Sequence, residues 1–362
     1  MPGESAAGPR VLHVNRDFSG AGAQRVSLQI LRAVPASARF YCGDRSTGAN
    51  LRFLQELGEA GVRSVGIRGL TNRQALWLPT AILRLAGLIR RERIDVVHSH
   101  SLVAGVAARL ACLLAGVPCL HTFHGAPSPR YRRLAFWTCR AVEGLLAPLT
   151  RLVIFNSDNQ RRLLHGAPGS SRVIWNFVPS RTTAPSPPRE DVSRHVLFLG
   201  RFEFQKNPEF FVRLAARMGG DGLRFRMVGG GRLEGAVRRE DARLGAGIEI
   251  RGFAEDPSPD LAWADCIVLC SRYESFSLVI GEALTSGCAV VSSRVDGLDD
   301  IWGNAVEFFE EGSVDAAAAA VRAALAGRSV PDEEFLARFS LERFAEAHVR
   351  AYQEVLGSGG SP

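Results

Sequence analysis

The 362-residue sequence predicts an α/β protein made of two Rossmann-like, doubly wound parallel-sheet domains, and three observations carry that prediction. The chain is longer than one hydrophobic core usually supports, so two domains are the natural division. Short β-branched apolar runs alternate with longer segments of helical period throughout. The alternation stops once, at the proline-rich stretch Ser180–Arg194, and then restarts.

Before that break, strands are expected at Val11–Val14, Asp95–His98, Pro118–Thr122 and Leu152–Asn156. Gln24–Ala33 and Leu78–Arg91 carry apolar residues at three- and four-residue spacing and should be amphipathic helices. After it come strand His195–Leu199, helix Pro208–Met218, and strands Arg224–Val228, Ile248–Arg251 and Cys266–Cys270. Helix Leu278–Ser286 and strand Ala289–Ser292 follow, and Glu333–Leu356 is helical by period. The expected division is therefore residues 1–179, a linker 180–194, a second domain 195–332, and a C-terminal helix and tail 333–362 that could pack back on the first domain.

Hydrophobic residues at 46% and charged residues at 22% fit a folded globular chain and exclude disorder and coiled coil. The longest apolar stretch, Leu102–Leu120, is interrupted by Arg109 and Pro118, and the N-terminus lacks a signal-peptide pattern, so the expected location is cytoplasmic. Seven cysteines without a CxxC pair read as reduced, buried apolar residues. A net charge of +7 favours an acidic partner such as nucleotide phosphates or anionic lipid. Arginines are scattered without an aromatic-basic stripe, which disfavours nucleic acid. Of the 44 basic residues only Lys206 is lysine.

Gly200 ends a strand, Arg201 follows at once, and Lys206-Asn207-Pro208 opens a helix. Ligands of such sheets bind beyond the carboxyl ends of strands, so a planar guanidinium and a compact ammonium there suit a diphosphate, or are two solvated surface cations. Glu274 and Glu282 are placed in a loop and in the first turns of the next helix, where free backbone N–H groups attract an anion. Ser19–Ala23 and Gly229–Gly231 are glycine loops that would allow close approach to a ligand or would simply be tight turns. His98, His100, His121 and His124 lie at two strand ends without a carboxylate partner, a poor zinc pattern, so no metal is expected.

In this order the segments resemble the retaining glycosyltransferase family 4, of GT-B fold. The matching pieces are Ala21–Arg25, Asp95–His100, Thr122–Gly125, Asn156-Ser157, Gly200–Asn207 and the Glu274-x7-Glu282 pair. The resemblance implies two domains facing an interdomain cleft and a nucleotide-sugar donor, a UDP- or GDP-sugar, with no metal cofactor. It implies that Arg201 and Lys206 neutralise the donor diphosphate, that Glu282 holds the ribose, and that Glu274 sits by the transferred sugar. Ser277, Leu278 and Val279 would touch phosphates through their backbone, Gly22 would approach them, Phe253 would border the base, and His124 would contact the sugar. Catalysis would rest on Glu274, His124, Arg201 and Lys206 without an enzymic nucleophile.

The chain departs from the family pattern at Ala21, Ser275, Ser277, Ala289 and Asp296–Asp300, which bears on donor identity. The acceptor is expected to be a glycan or lipid-linked sugar of bacterial surface-glycan assembly. The segment Arg130–Leu149 mixes four arginines with Leu134, Phe136, Trp137, Leu145 and Leu146, as a helix lying on the anionic inner face of a membrane would, or as a core-facing helix would. A catalytically silent nucleotide-sugar-binding subunit is the competing class.

Overall fold

The computed structural model describes residues 8–125, 127–164, 170–179, 193–327 and 331–357. It divides into two compact units, one holding residues up to Asn176 together with Glu342 onward, the other Phe177–Leu341. Of the expected linker Ser180–Arg194, residues 180–192 lie outside the described residues, and Arg194 already opens a strand.

The first unit alternates β1 (Arg10–Phe18), α1 (Gly22–Ala33), β2 (Ala38–Ala49), α2 (Leu51–Glu59), β3 (Val62–Gly66), α3 (Leu78–Arg91) and β4 (Val96–His100). It continues through α4 (Leu102–Ala115), β5 (Cys119–Phe123), α5 (Arg133–Leu146), β6 (Leu152–Phe155), α6 (Asp158–Leu164) and β7 (Ser170–Val173). The strands form one parallel sheet of order β3-β2-β1-β4-β5-β6-β7, so the winding reverses between β1 and β4. Loops leaving those two strands diverge and open a crevice, which is where a ligand of this sheet type sits. The expected strands here all form, within a few residues. The sequence reading omitted β2, β3 and β7, because Arg39, Asp44 and Arg45 interrupt the first and the other two are short, partly exposed edges.

The second unit runs β8 (Arg194–Leu199), α7 (Pro208–Arg217), β9 (Leu223–Val228), α8 (Glu234–Leu244), β10 (Glu249–Arg251), α9 (Ser258–Trp263) and β11 (Cys266–Leu269). Then come α10 (Leu278–Thr285), β12 (Ala289–Ser293), α11 (Leu298–Trp302), β13 (Glu307–Phe309), α12 (Val314–Ala326) and α13 (Glu333–Ala337). Its sheet order is β10-β9-β8-β11-β12-β13, and the reversal falls between β8 and β11. Phe198, Phe202, Phe210, Phe211 and Phe225 fill the core beside this reversal, each contributing about 2 kcal/mol by burial.

The expected continuous helix Glu333–Leu356 is instead broken after α13, and α14 (Leu341–Gly357) starts anew. Phe339 is the cause. Its ring packs 4.7 Å from Trp302 and edge-on to Phe276, and its carbonyl accepts the Val178 N–H, so the backbone turns to bury it. α14 then belongs to the first unit, where His348 and Tyr352 are buried. All seven cysteines are buried, and none is in a disulfide. Among the described residues no helix is long and apolar enough to cross a membrane.

Candidate active site

In the second unit the reversal of winding brings the loop after β8 beside the loop after β11. Lys206 donates to Glu274 Oε1 at 2.5 Å, and the two side chains are only 16% and 7% exposed. Ser271 Oγ donates to the same carboxylate oxygen at 2.8 Å. The loops are stitched together by Gln205 Nε2 donating to the Tyr273 carbonyl, Arg272 N donating to the Gln205 carbonyl, and Arg272 Nη1 donating to the Phe204 carbonyl. Arg201 stands exposed at the edge, its guanidinium 3.5 Å from Gln205 Oε1.

Gly229 and Gly231, which could have cradled a ligand, are required for another reason. A Cβ on Gly229 would meet the Gly200 carbonyl oxygen at 1.9 Å, and one on Gly231 the Phe202 carbonyl at 2.5 Å. Both have φ near +150°, a conformation that suits glycine. Their backbone closes on the Arg201 loop through Phe202 N–H to the Gly230 carbonyl at 2.8 Å. The glycine run thus seats Arg201.

The Glu274–Val279 segment ends in a helix start. Ser277 adopts φ +60°, is buried, and its hydroxyl has no hydrogen-bond partner among the described residues. The first N–H groups of α10, from Leu278 and Val279, have no intrahelical acceptors, so they point positive partial charge out of the helix end. Glu274 lies in the loop and Glu282 on the helix, as their spacing predicted. Glu282 is half-buried and Phe253 is 76% exposed.

Asp296, one of the departures from the family pattern, is a member of this group. Its carboxylate accepts the Glu274 N–H at 3.0 Å. Burial, reinforced by the Glu274 charge and partly offset by that hydrogen bond, raises its pKa to about 6. The available signal is an acidic residue three positions after the buried strand β12 and immediately before Gly297.

In the first unit the loop after β1 is held by Asp17, whose Oδ1 accepts the Ser19 N–H at 3.0 Å and Gln24 Nε2 at 2.7 Å. Gly22 is exposed and is the first residue of α1. His124 follows β5, half-buried, its carbonyl near Asn156 Nδ2 at 3.4 Å. His98, His100, His121 and His124 do gather at the ends of β4 and β5, and His13, His348 and Tyr352 join them. His13 faces His98 in the β1–β4 register. His13, His98 and His100 offer nitrogen atoms within 4.8 Å of one another. Those nitrogens are all engaged in hydrogen bonds to Ser27, Tyr352, Thr122, His124 and one another. Burial, with repulsion from neighbouring imidazoles, pushes the pKa of His13, His98 and His100 well below the ordinary value. His124 and His348 fall to about 4 for the same first reason.

Comparison with known proteins shows the family. Residues 21–181 match the Glycosyltransferase Family 4 model and residues 193–327 match the model for glycosyl transferases group 1. The Escherichia coli UDP-Gal:alpha-D-GlcNAc-diphosphoundecaprenol alpha-1,3-galactosyltransferase is 28% identical over 315 residues, 80% of each chain. A D-inositol 3-phosphate glycosyltransferase from Geodermatophilus obscurus is 31% identical over 320 residues, 75% of this chain and 69% of the relative. Among solved structures, Anabaena HepE in complex with UDP and glucose superposes with a TM-score of 0.80 at 16% identity, covering 95% of this chain and 99% of that one. Sucrose-phosphate synthase from Thermosynechococcus elongatus gives 0.79 at 19% identity, covering 96% and 100%. The chain belongs to glycosyltransferase family 4: it is a GT-B glycosyltransferase that takes its sugar from a nucleotide-sugar donor.

Proposed function

We propose that the protein transfers a sugar, with retention of anomeric configuration, from a UDP-sugar to a lipid-diphosphate-linked glycan acceptor in the assembly of a bacterial surface polysaccharide or glycolipid. The observation that carries this reading is the Lys206–Glu274 pair set beside the open N-terminus of α10. Arg201 and Lys206 neutralise the diphosphate, and the amides of Leu278 and Val279 receive its oxygens. Phosphate charge is met by side chains and helix, so no metal is assigned a role. Glu282 holds the ribose, Glu274 meets the sugar, Gly22 approaches the phosphates, and Phe253 borders the base. The C1–O bond to the diphosphate breaks with its electrons going to the leaving phosphate oxygen. The acceptor hydroxyl bonds C1 from the same face and gives its proton to that phosphate, while His124 hydrogen-bonds the sugar.

The choice of acceptor draws on the Escherichia coli relative, whose name specifies a diphosphoundecaprenol-linked sugar. An amphiphilic acceptor requires approach to a lipid surface. On α5, Leu134, Trp137 and Leu145 are exposed along one stripe, while Phe136, Cys139 and Leu146 face the core. With Arg132, Arg133 and Arg140 alongside, that stripe suits an anionic leaflet.

The test is turnover. The purified protein is given UDP-, GDP- and ADP-sugars with a diphosphoundecaprenol-linked N-acetylglucosamine acceptor in the presence of a chelator. Release of UDP with an α-linked product, read from the anomeric proton coupling, supports the proposal. Binding without turnover across the panel would assign the chain to the silent-subunit class instead.

A further inference from the structure

Within the first unit a continuous chain of side-chain hydrogen bonds runs from His124 into the interior. His124 Nε2 pairs with His100 Nδ1 at 2.9 Å, and His100 Nε2 with His13 Nδ1 at 3.0 Å. His13 Nε2 meets the Tyr352 hydroxyl at 2.8 Å, that hydroxyl meets His98 Nδ1 at 2.9 Å, and His98 Nε2 reaches Thr122 Oγ1 at 2.6 Å. His13, His98, His100, Thr122 and Tyr352 are at most 3% exposed.

A neutral imidazole has one N–H and one lone pair, so if one ring nitrogen donates, the other must accept. The tyrosine hydroxyl in the middle likewise donates once and accepts once. The direction chosen at any one link therefore fixes every other link. Only two arrangements satisfy the whole chain: all protons point toward His124, or all point toward Thr122.

Ser27 decides between them. Its buried hydroxyl oxygen lies 2.7 Å from His13 Nδ1 and already accepts Asn15 Nδ2 at 2.9 Å. If His13 Nδ1 carries the proton, it donates to Ser27 Oγ and to His100 Nε2, and both oxygen lone pairs are used. If His13 Nδ1 is bare, its single lone pair must receive the His100 N–H, and then it either faces a Ser27 lone pair at 2.7 Å or is shared with the Ser27 O–H. The first arrangement is the favourable one.

We infer that Ser27, His13, His100 and Tyr352 are positioning residues that fix the tautomer of His124, placing its proton on Nδ1 so that this nitrogen donates to a ligand and does not act as a base. This rests on the reading of His124 as a sugar-contacting group, but the tautomer is measurable without any substrate. In Thr122→Ser the chain persists; in Ser27→Ala the bias is lost.

The experiment is long-range proton–nitrogen correlation NMR on the full-length protein labelled with nitrogen-15 histidine, near pH 7.5, where the cluster is neutral. His13, His98, His100 and His124 should all report the Nδ1–H form. Ser27→Ala should give His124 a mixture of tautomers and lower kcat about tenfold with donor KM held, while Ser27→Thr restores both. Nε2–H at His124 in the unsubstituted protein overturns the inference. So does an unchanged His124 signature in folded Ser27→Ala. If Ser27→Ala does not fold, the unsubstituted spectrum and Ser27→Thr still decide. Correct tautomers with no sugar transfer would leave the relay standing and sink the functional reading alone.

Discussion

Lys206 and Glu274 are 68 residues apart in sequence and 2.5 Å apart in space, joined where the second sheet reverses its winding. The carboxylate holds the ammonium in place, and under the proposed function the donor diphosphate must share it. Removing one partner strands the other charge in a largely buried place, at a cost of about 3 kcal/mol. Lys206→Ala should therefore lose both stability and the thermal shift produced by UDP, and turnover should fall about 10²- to 10³-fold. Lys206→Met combined with Glu274→Gln should recover much of the stability and none of the turnover. A UDP-induced shift undiminished in Lys206→Ala would show that the ammonium does not meet the diphosphate.

The glycines behind Arg201 make a sharper comparison because neighbours in sequence have opposite environments. A methyl on Gly229 collides with the Gly200 carbonyl, whereas one on Gly230 meets only the end of the Glu234 side chain at 3.8 Å. Gly229→Ala should cost about 3 kcal/mol or more and weaken donor binding by displacing the Arg201 loop, while Gly230→Ala should stay within about 0.5 kcal/mol. Denaturant titration of the two variants, with UDP binding by calorimetry, distinguishes them. Equal effects would mean that the loop is not seated by this contact.

How much of this was legible in the sequence follows from what sequence encodes. Buried central strands such as Val96–His100 and Cys119–Phe123 announce themselves by apolar runs, and Pro208 and Ser277 mark helix starts. Edge strands such as Ser170–Val173 bury little and left no such signal. The charged residues of the proposed donor side stand out in sequence because Lys206 is unique and Glu274 and Glu282 match the family's Glu-x7-Glu spacing. Asp296 could not be assigned, since its part depends on a backbone contact across 22 residues. His13 and Tyr352 were invisible as partners of His124, because they meet it only through strand register and a helix that begins after the second unit has ended.

The histidine cluster predicts an acid limit to stability. Six of the eight histidines lie in the first unit with depressed pKa values, His124 and His348 at about 4. Below about pH 6.5 the unfolded chain takes up protons that the folded chain refuses, so unfolding is favoured as pH falls. Their contribution is fully present above about pH 6.5 and is lost progressively toward pH 4. The melting temperature should drop steadily from pH 7 to 5, where of the carboxylates with a resolved shift only Asp296 titrates and offsets at most one proton, and His348→Gln should flatten the slope by about one proton. A flat profile over that range would contradict neutral burial of the cluster.

Asp296 should have the opposite sign. Its pKa is raised to about 6, so the folded state keeps a proton that the unfolded state releases near 3.8, and this stabilising contribution is lost as pH rises through about 6. Above that, two carboxylates stand against each other beside the single Lys206. Asp296→Asn keeps an acceptor for the Glu274 N–H and removes the second charge. The pH dependence of kcat/KM should contain a step near 6 that is absent in Asp296→Asn. A step that survives the substitution would assign it to another group.

The stripe on α5 supplies the prediction about the acceptor. Leu134, Trp137 and Leu145 are 83%, 53% and 79% exposed, and residues spaced by three and four along a helix share one face. Arg140 lies against Trp137, with 5.8 Å from guanidinium to ring centre, so charge and apolar surface are presented together. Trp137 also packs edge-on against Phe136, ring centres 5.5 Å apart, so replacing all three apolar residues by serine should lower the melting temperature by about 2–4 °C without unfolding the protein. The unsubstituted protein should float with phosphatidylglycerol vesicles, less so at high salt, and stay down with phosphatidylcholine. The triple variant should float with neither and should turn over a water-soluble acceptor at the normal rate while losing the lipid-linked one. Flotation unchanged by the three serines would place the membrane contact elsewhere, and equal absence from both vesicle types would remove it altogether.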